Sequence, residues 1–282
     1  MTIPASQVEG EPTLVDSDVA EFLGNDRAFA RGNVDIRRSD FQATADSSRF
    51  DADEGRLYGD PIVTSRGLRL AGDSIVTTFL DGELDLVHAI GNARATGEDL
   101  FLRAVEIMIN SGPEHIERAW AFGAGRSLGA MDQFLIAGDS IDFAFEQGQI
   151  DSVTSVGDAR AFQLTERRAS GGEVIEPEAT ITTGADWLVG ESIRGWFESP
   201  GDSVDSNSTQ RQVRRLLAQG SARSLFSGVR DSTATSRRSR NYLLGSSIDI
   251  AFLNGEPDEV IADRAIGVFL EPSSSAEETA RE

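Results

Sequence analysis

Gly138-Asp139-Ser140-Ile141-Asp142-Phe143-Ala144-Phe145, followed by Glu146-Gln147-Gly148-Gln149 and the run 150–156, decides the fold of this chain. Ile141, Phe143 and Phe145 alternate with Asp142 and Ala144, and a period of two specifies a strand with one buried face. Gln147-Gly148 then turns the chain into a second strand, so the segment reads as a β-hairpin. Frequent Gly and a β-branched, aromatic bias exclude a helix.

The phrase Gly-acid-Ser-Ile-x-x-x-Phe recurs as Gly72-Asp73-Ser74-Ile75…Phe79 and as Gly190-Glu191-Ser192-Ile193…Phe197. Its last copy, Gly245-Ser246-Ser247-Ile248…Phe252, carries Ser in place of the acid and repeats the alternation through Ile250. Behind each phrase come a turn, a second strand and a small-residue step. These are Asp81-Gly82 with Gly91-Asn92-Ala93, and Gln147-Gly148 with Gly157-Asp158-Ala159. In the third copy an inserted polar loop, 199–209, delays the step to Gly220-Ser221-Ala222, and the fourth has Asn254-Gly255 and Asp263-Arg264-Ala265. A shortened unit over 104–125 brings the count to about five. Such repetition points to one structural unit stacked on copies of itself, each needing its neighbours to bury its apolar face. The expected fold is all-β, with antiparallel hairpins stacked in one elongated sheet pair or roll.

Outside the repeat, 167–180, 199–209 and 227–241 are rich in Ser, Gly and charged residues and read as loops. Residues 18–23 look faintly helical. The organisation predicted is a polar segment over 1–18, a single β-domain over 19–270 and a disordered acidic tail over 271–282.

Composition narrows the function classes. The 47 acids against 26 bases give a net charge of −21, and every base is Arg. An acidic surface argues against binding a nucleic-acid backbone. No apolar run is long enough for a membrane helix. Met1-Thr2-Ile3-Pro4 lacks the basic start and apolar core of a signal peptide, and reads as the start of a processed chain. With no Cys, disulfides and thiol chemistry are excluded. His88 and His115 lie in different units without a repeated partner, and read as ordinary strand residues. Asp73, Asp139 and Glu191 stand too far apart for a calcium repeat, and are expected to bond turn backbone or face solvent. Carboxylate pairs such as Asp139/Asp142 or Asp81/Glu83 arise by chance in so acidic a chain. No catalytic residue, metal site or cofactor is predicted. Arg211, Arg214, Arg215, Arg230, Arg237, Arg238 and Arg240 form the one basic feature; Arg forks suit phosphate and carboxylate recognition, but the favoured reading is solvated loop residues balancing local acids.

The better lead is the repeated apolar set. In register along one inner face stand Ile75/Phe79, Ile141/Phe143/Phe145, Ile193/Phe197 and Ile248/Ile250/Phe252. Val87, Val153, Leu216 and Val260 hold matched places on the strands that follow. Periodicity leaves two readings, a closed core or the lining of an apolar groove.

The order of phrases in residues 30–270 resembles the OstA-like family of lipopolysaccharide-transport periplasmic proteins. The likeness rests on Arg31-Gly32-Asn33-Val34-Asp35-Ile36, then Ala43-Thr44-Ala45-Asp46, Gly59, Gly72-Asp73-Ser74-Ile75 and Gly91-Asn92-Ala93. Asn241-Tyr242…Gly245…Ile248…Phe252…Asn254-Gly255…Val260 resembles a variant with longer strands. The family pattern is broken where Asp263-Arg264-Ala265 replaces Gly-Asn-Ala and where the third unit carries its insertion. The resemblance implies a twisted, V-shaped β-jelly roll in a periplasmic protein. It implies that the Ile and Phe set lines a groove for the acyl chains of lipopolysaccharide or another lipid. It also implies partners, like rolls or a second copy, joined through edge strands expected at 32–38 and 265–270. Other classes left open are a surface adhesin-like β-repeat with a closed core and a glycan-acting enzyme on a repeat scaffold.

Overall fold

A computed structural model describes residues 2–3, 13–24, 27–51, 53–98, 100–131, 134–163, 186–198, 212–228, 239–253 and 256–270. Those residues form strands joined by turns. The chain opens with β1 (Thr2–Ile3), β2 (Thr13–Asp16), β3 (Val19–Leu23), β4 (Arg27–Arg37), β5 (Gln42–Phe50), β6 (Glu54–Tyr58) and β7 (Ile62–Ser65). It continues with β8 (Leu68–Ala71), β9 (Ser74–Leu80), β10 (Glu83–Thr96), β11 (Phe101–Ser111), β12 (Ile116–Phe122), β13 (Ser127–Ala130) and β14 (Phe134–Gly138). Last come β15 (Ser140–Glu146), β16 (Gln149–Gln163), β17 (Asp186–Glu198), β18 (Gln212–Gly228), β19 (Ser239–Leu253), β20 (Glu256–Asp263) and β21 (Ile266–Leu270).

Every pairing is antiparallel, and the register sorts the strands into two layers. The long strands belong to both. The first half of β10 pairs β9 and the last half of β11, whereas its second half pairs β8 and the first half of β11. The same division splits β4, β5, β16, β17, β18 and β19. One layer runs β3-β4-β5-β6-β9-β10-β11-β12-β15-β16-β17-β18-β19-β20. The second runs β2-β4-β5-β7-β8-β10-β11-β13-β14-β16-β17-β18-β19-β21. The fold is the all-β roll of stacked antiparallel hairpins that the sequence predicts.

The small-residue steps are the crossings between layers. At Gly32-Asn33, Gly91-Asn92, Gly157-Asp158 and Gly220-Ser221 both residues have positive φ (75° and 48° at the first pair), and the register slips there. Two residues facing one on the neighbouring strand form a β-bulge, which bends a strand sharply. Gly59-Asp60 makes the same crossing between β6 and β7. The hairpin turns use the reverse order, Arg66-Gly67, Asp81-Gly82 and Gln147-Gly148, again with both φ positive. That is the type I′ geometry whose twist suits a tight hairpin.

Among the described residues seven hairpin rungs cross between the layers, against the five units expected from the repeated phrase. The additions precede the first phrase and are centred on Asp18/Gly32 and Asp46/Gly59. Residues 18–23, which looked faintly helical, hold β3, because Val19 to Leu23 pair with Arg31 to Arg27. β2 lies ahead of residue 19 and pairs with β4. The polar loops read over 167–180 and 199–209 and the tail over 271–282 lie outside the described residues. The loop read over 227–241 is shorter at both ends, since β18 runs to Gly228 and β19 begins at Ser239.

The inner faces of both layers merge into one apolar cluster, from Val15 and Ala30 to Ile250 and Phe252. A void of about 10 Å³ between them is lined by Val63, Ser65, Leu68 and Leu70 of one layer and Val87, Ile109, Ser111 and Ile116 of the other. That is at or below the room one water molecule needs. There the layers meet in a close-packed seam.

Candidate functional site

The seam has two long margins built from different chemistry. Along the kink margin an acid stands over a glycine on the next crossing strand. A Cβ placed on Gly91 would lie 2.2 Å from Asp73 Oδ2, and one on Gly157 would lie 2.1 Å from Asp139 Oδ2. The same apposition joins Asp18 to Gly32, Asp46 to Gly59 and Glu191 to Gly220. Glycine is required twice over, by its φ and by the carboxylate that fills the Cβ position. The backbone locks the pair, since Asp18, Asp73 and Asp139 N–H groups donate to the carbonyls of Gly32, Gly91 and Gly157 at 2.9–3.0 Å. Asn33 and Asn92 Nδ2 then donate to Asp18 Oδ2 (3.0 Å) and Asp73 Oδ1 (3.1 Å).

The phrase acid is therefore a latch on the neighbouring crossing. Asp158 takes the Asn position in the rung of Asp139 and turns to Arg126 and Arg160, at 3.0 and 2.9 Å. Burial resists its ionisation, but the hydrogen bond and charge of Arg160, then of Arg126, hold its carboxyl below the ordinary value.

The predicted seam residues divide along the depth of the roll. Ile75, Ile141, Ile193 and Ile248 are fully buried beside the kinks. Phe143, Ile250, Val87, Val153 and Leu216 are buried at mid-depth. Phe79, Phe145 and Phe197 are half-buried near the hairpin turns, and Phe252 is buried there against Phe134 of the other layer. Val260 faces Ile250 in register, yet it is 39% exposed because β20 is the last strand of its layer.

Among the described residues the contacts between layers along this turn margin all involve side chains. At its N-terminal end Arg38 and Asp40 form an ion pair at 2.9 Å, with side chains only 8% and 12% exposed. The pair spans the layers, because Arg38 Nη2 donates to the Gly82 carbonyl and the Leu84 N–H donates to Asp40 Oδ2 at 2.9 Å. Arg38 also lies over the Phe79 ring at 4.9 Å, and Phe79 packs on Phe41 at 5.9 Å. Towards the C-terminal end the contact is Phe134 edge-on to Phe252 at 5.9 Å. The strand ends that bracket residues 164–185, 199–211 and 229–238 all lie on this margin.

Both ends of the roll expose apolar edge strands. Val19, Phe22 and Leu23 of β3 are about half exposed, and Ile261, Ile266, Phe269 and Leu270 of β20 and β21 more so. The edge expected at 32–38 is interior instead, since β4 is flanked by β2 and β3 on one side and β5 on the other. The second expected edge, 265–270, contains β21, which pairs with β19 alone.

His88 and His115 lie apart, His88 Nε2 against Glu106 Oε2 at 2.8 Å and His115 near Glu114. Of the basic set, Arg215 forks onto Asp249 across the outer face, Arg214 faces Glu198, and Arg240 lies in β19. Arg211, Arg230, Arg237 and Arg238 lie outside the described residues.

No family model and no curated protein matches this chain. Among solved structures it is similar to LptH from Pseudomonas aeruginosa, described as the LptA-homologous periplasmic component of the lipopolysaccharide transport device. That likeness has 16% identity and a TM-score of 0.35, and covers 43% of this chain and 87% of the other.

Proposed function

We infer that this protein is a periplasmic lipid carrier or bridge segment, which takes acyl chains of a lipopolysaccharide-like lipid between its two layers from the turn margin. The observation that carries this reading is the placement of the phrase phenylalanines. Phe79, Phe145 and Phe197 stand half-buried along the margin where the layers are held by side chains, while the opposite margin is closed by backbone. Parting the layers there would expose Ile, Val and Phe without breaking a strand pairing. Burial contributes about 0.8 kcal/mol per CH₂, so a 12-carbon chain gains on the order of 9 kcal/mol gross. The motif resemblance of residues 30–270 supports the same reading. The apolar ends suit β-augmentation by like rolls or a second copy. The chemistry is binding, and no step in it calls for a catalytic group.

The test is uptake of an acyl-chain fluorophore by the purified protein. Phe145→Asp with Phe197→Asp, both half-buried in the wild type, should abolish uptake while the far-ultraviolet spectrum of the sheet persists. Uptake that survives the double substitution sinks the groove.

A second reading, a structural β-repeat with a permanently closed core, is favoured by the void of only about 10 Å³ in the seam. It predicts no uptake by the wild-type protein at any lipid concentration.

A further inference from the structure

The outer face of the layer that carries the phrases holds a trough of about 450 Å³, separate from the seam. Met108 of β11 and Trp120 and Phe122 of β12 form one wall, and Val156 of β16 stands opposite. Its floor is the backbone at Ala121 and Ile141, with Ser140, Asp142 and Thr154 projecting from β15 and β16. The hollow exists because those three side chains are short beside the larger Trp120, Phe122 and Val156. Trp120 faces Asp142, which faces Thr154.

The wall is held in place from behind. Arg118 lies 4.5 Å over the Trp120 ring and forks onto Asp142 through Nε (2.9 Å) and Nη2. His88 stacks on Phe122 at 6.2 Å and is itself fixed by Glu106 at 2.8 Å. Trp120 and Phe122 are half-buried, so each offers part of its surface to solvent.

We propose that this trough binds the ring of a neutral saccharide. The charges in it cancel, since Arg118 is matched by Asp142, so phosphate and ammonium ligands gain nothing from it. An aliphatic ligand would strip water from Asp142, Ser140 and Thr154 and return no hydrogen bonds. A pyranose presents an apolar C–H face to the tryptophan and hydroxyls at its rim. The carboxylate lone pairs not used by Arg118 accept from those hydroxyls, and Ser140 and Thr154 both donate and accept. Few polar groups on a mostly apolar wall is the usual make-up of a small-molecule site.

A second set on the same face extends the surface. Trp196 of β17 lies under Arg194 at 5.0 Å and Arg215 at 5.4 Å, and Arg215 forks onto Asp249. β12 and β17 are three strand spacings apart through β15 and β16, about 14 Å across the sheet. An oligosaccharide lying across the strands reaches both tryptophans.

The inference does not rest on the seam holding lipid. The experiment titrates the full chain against an array of neutral oligosaccharides, followed by tryptophan fluorescence and by calorimetry. Saturable binding is expected, weakened at least tenfold by Trp120→Ala and by Asp142→Asn, and about threefold by Trp196→Ala. Asp142→Asn and Thr154→Ala change outward groups only, so a loss with an unshifted melting curve belongs to the site. Phe145→Asp with Phe197→Asp, which empties the seam, should leave saccharide binding intact. No retained glycan on the array, or binding unmoved by Trp120→Ala and Asp142→Asn, overturns the proposal. An acyl probe displaced by Trp120→Ala would also overturn it.

Discussion

The two margins of the roll bring the same layers together by opposite means. On the kink margin the chain itself passes from layer to layer, with a carboxylate seated over glycine at five rungs. On the turn margin the layers are separate hairpin ends, pressed together by rings and one shielded ion pair. The first arrangement fixes geometry and tolerates no added atom. The second is a set of contacts whose parting would disturb no hydrogen-bond ladder among the described residues. On the lipid-carrier reading proposed above, the side closed by the chain is a hinge and the side closed by packing is a mouth, and the repeated phrase places its acid at the hinge and its Phe at the mouth.

Four measurements would break or sharpen that contrast. The largest effect is expected from Gly157→Val, whose Cβ would meet Asp139 Oδ2 at 2.1 Å with φ at 82°. Clash and backbone strain together should cost about 3 kcal/mol or more in urea unfolding. Gly148 has nearly the same φ, but the nearest atom to its Cβ position is His115 Nδ1 at 3.3 Å. Gly148→Asn should cost no more than about 1 kcal/mol. Equal costs would erase the distinction between the margins. Next, Arg38→Ala strips its partner from the buried Asp40 carboxylate and should cost about 3 kcal/mol. It should also hasten entry of an acyl probe in stopped flow, and slower entry would contradict the mouth. Asp73→Ala removes the acceptor of Asn92 but leaves the backbone bond from its own N–H to Gly91, and should cost about 1 kcal/mol in the same unfolding assay.

The smallest effect concerns pH. The carboxyl of Asp158 titrates lower in the folded protein than in the unfolded chain. Its stabilising share is therefore full above the unfolded value, about 4, and fades as pH falls through the lower folded value. Asp158→Asn should flatten the acid limb of the thermal-melt profile slightly, and an unchanged limb would detach Arg126 and Arg160 from the hinge.

Much of this was legible in the sequence. Alternation at Ile141, Phe143 and Phe145 gave the strands, and Asp81-Gly82 and Gln147-Gly148 sit in the turns their chemistry demands. Depth was not legible. Nothing local distinguishes an Ile beside the kink from a Phe beside the turn until the crossing is known. The crossing was hidden because Gly-Asn in a strand reads as a step, whereas its partner acid lies on another strand. That acid precedes the glycine by 18 residues in Asp73/Gly91 and again in Asp139/Gly157. The constant offset was available, though its meaning needed the pairing. The first two rungs escaped because Asp18 and Asp46 lack the Ser-Ile that follows the later acids. The outer trough escaped for another reason. Trp120, Asp142 and Thr154 come from three strands, and only register makes them neighbours.

The crossings have one more consequence, which concerns length. Among the described residues each rung pairs its strands only with the rungs on either side, and it adds two strands to each layer, or about 10 Å. The layer that holds the phrases contains fourteen strands and so extends roughly 60 Å. Duplicating or deleting one hinge-to-hinge segment would lengthen or shorten the molecule by a fixed increment and leave the remaining strand pairings in place. The protein is in that sense a ruler, and the distance it spans is written in the number of its crossings.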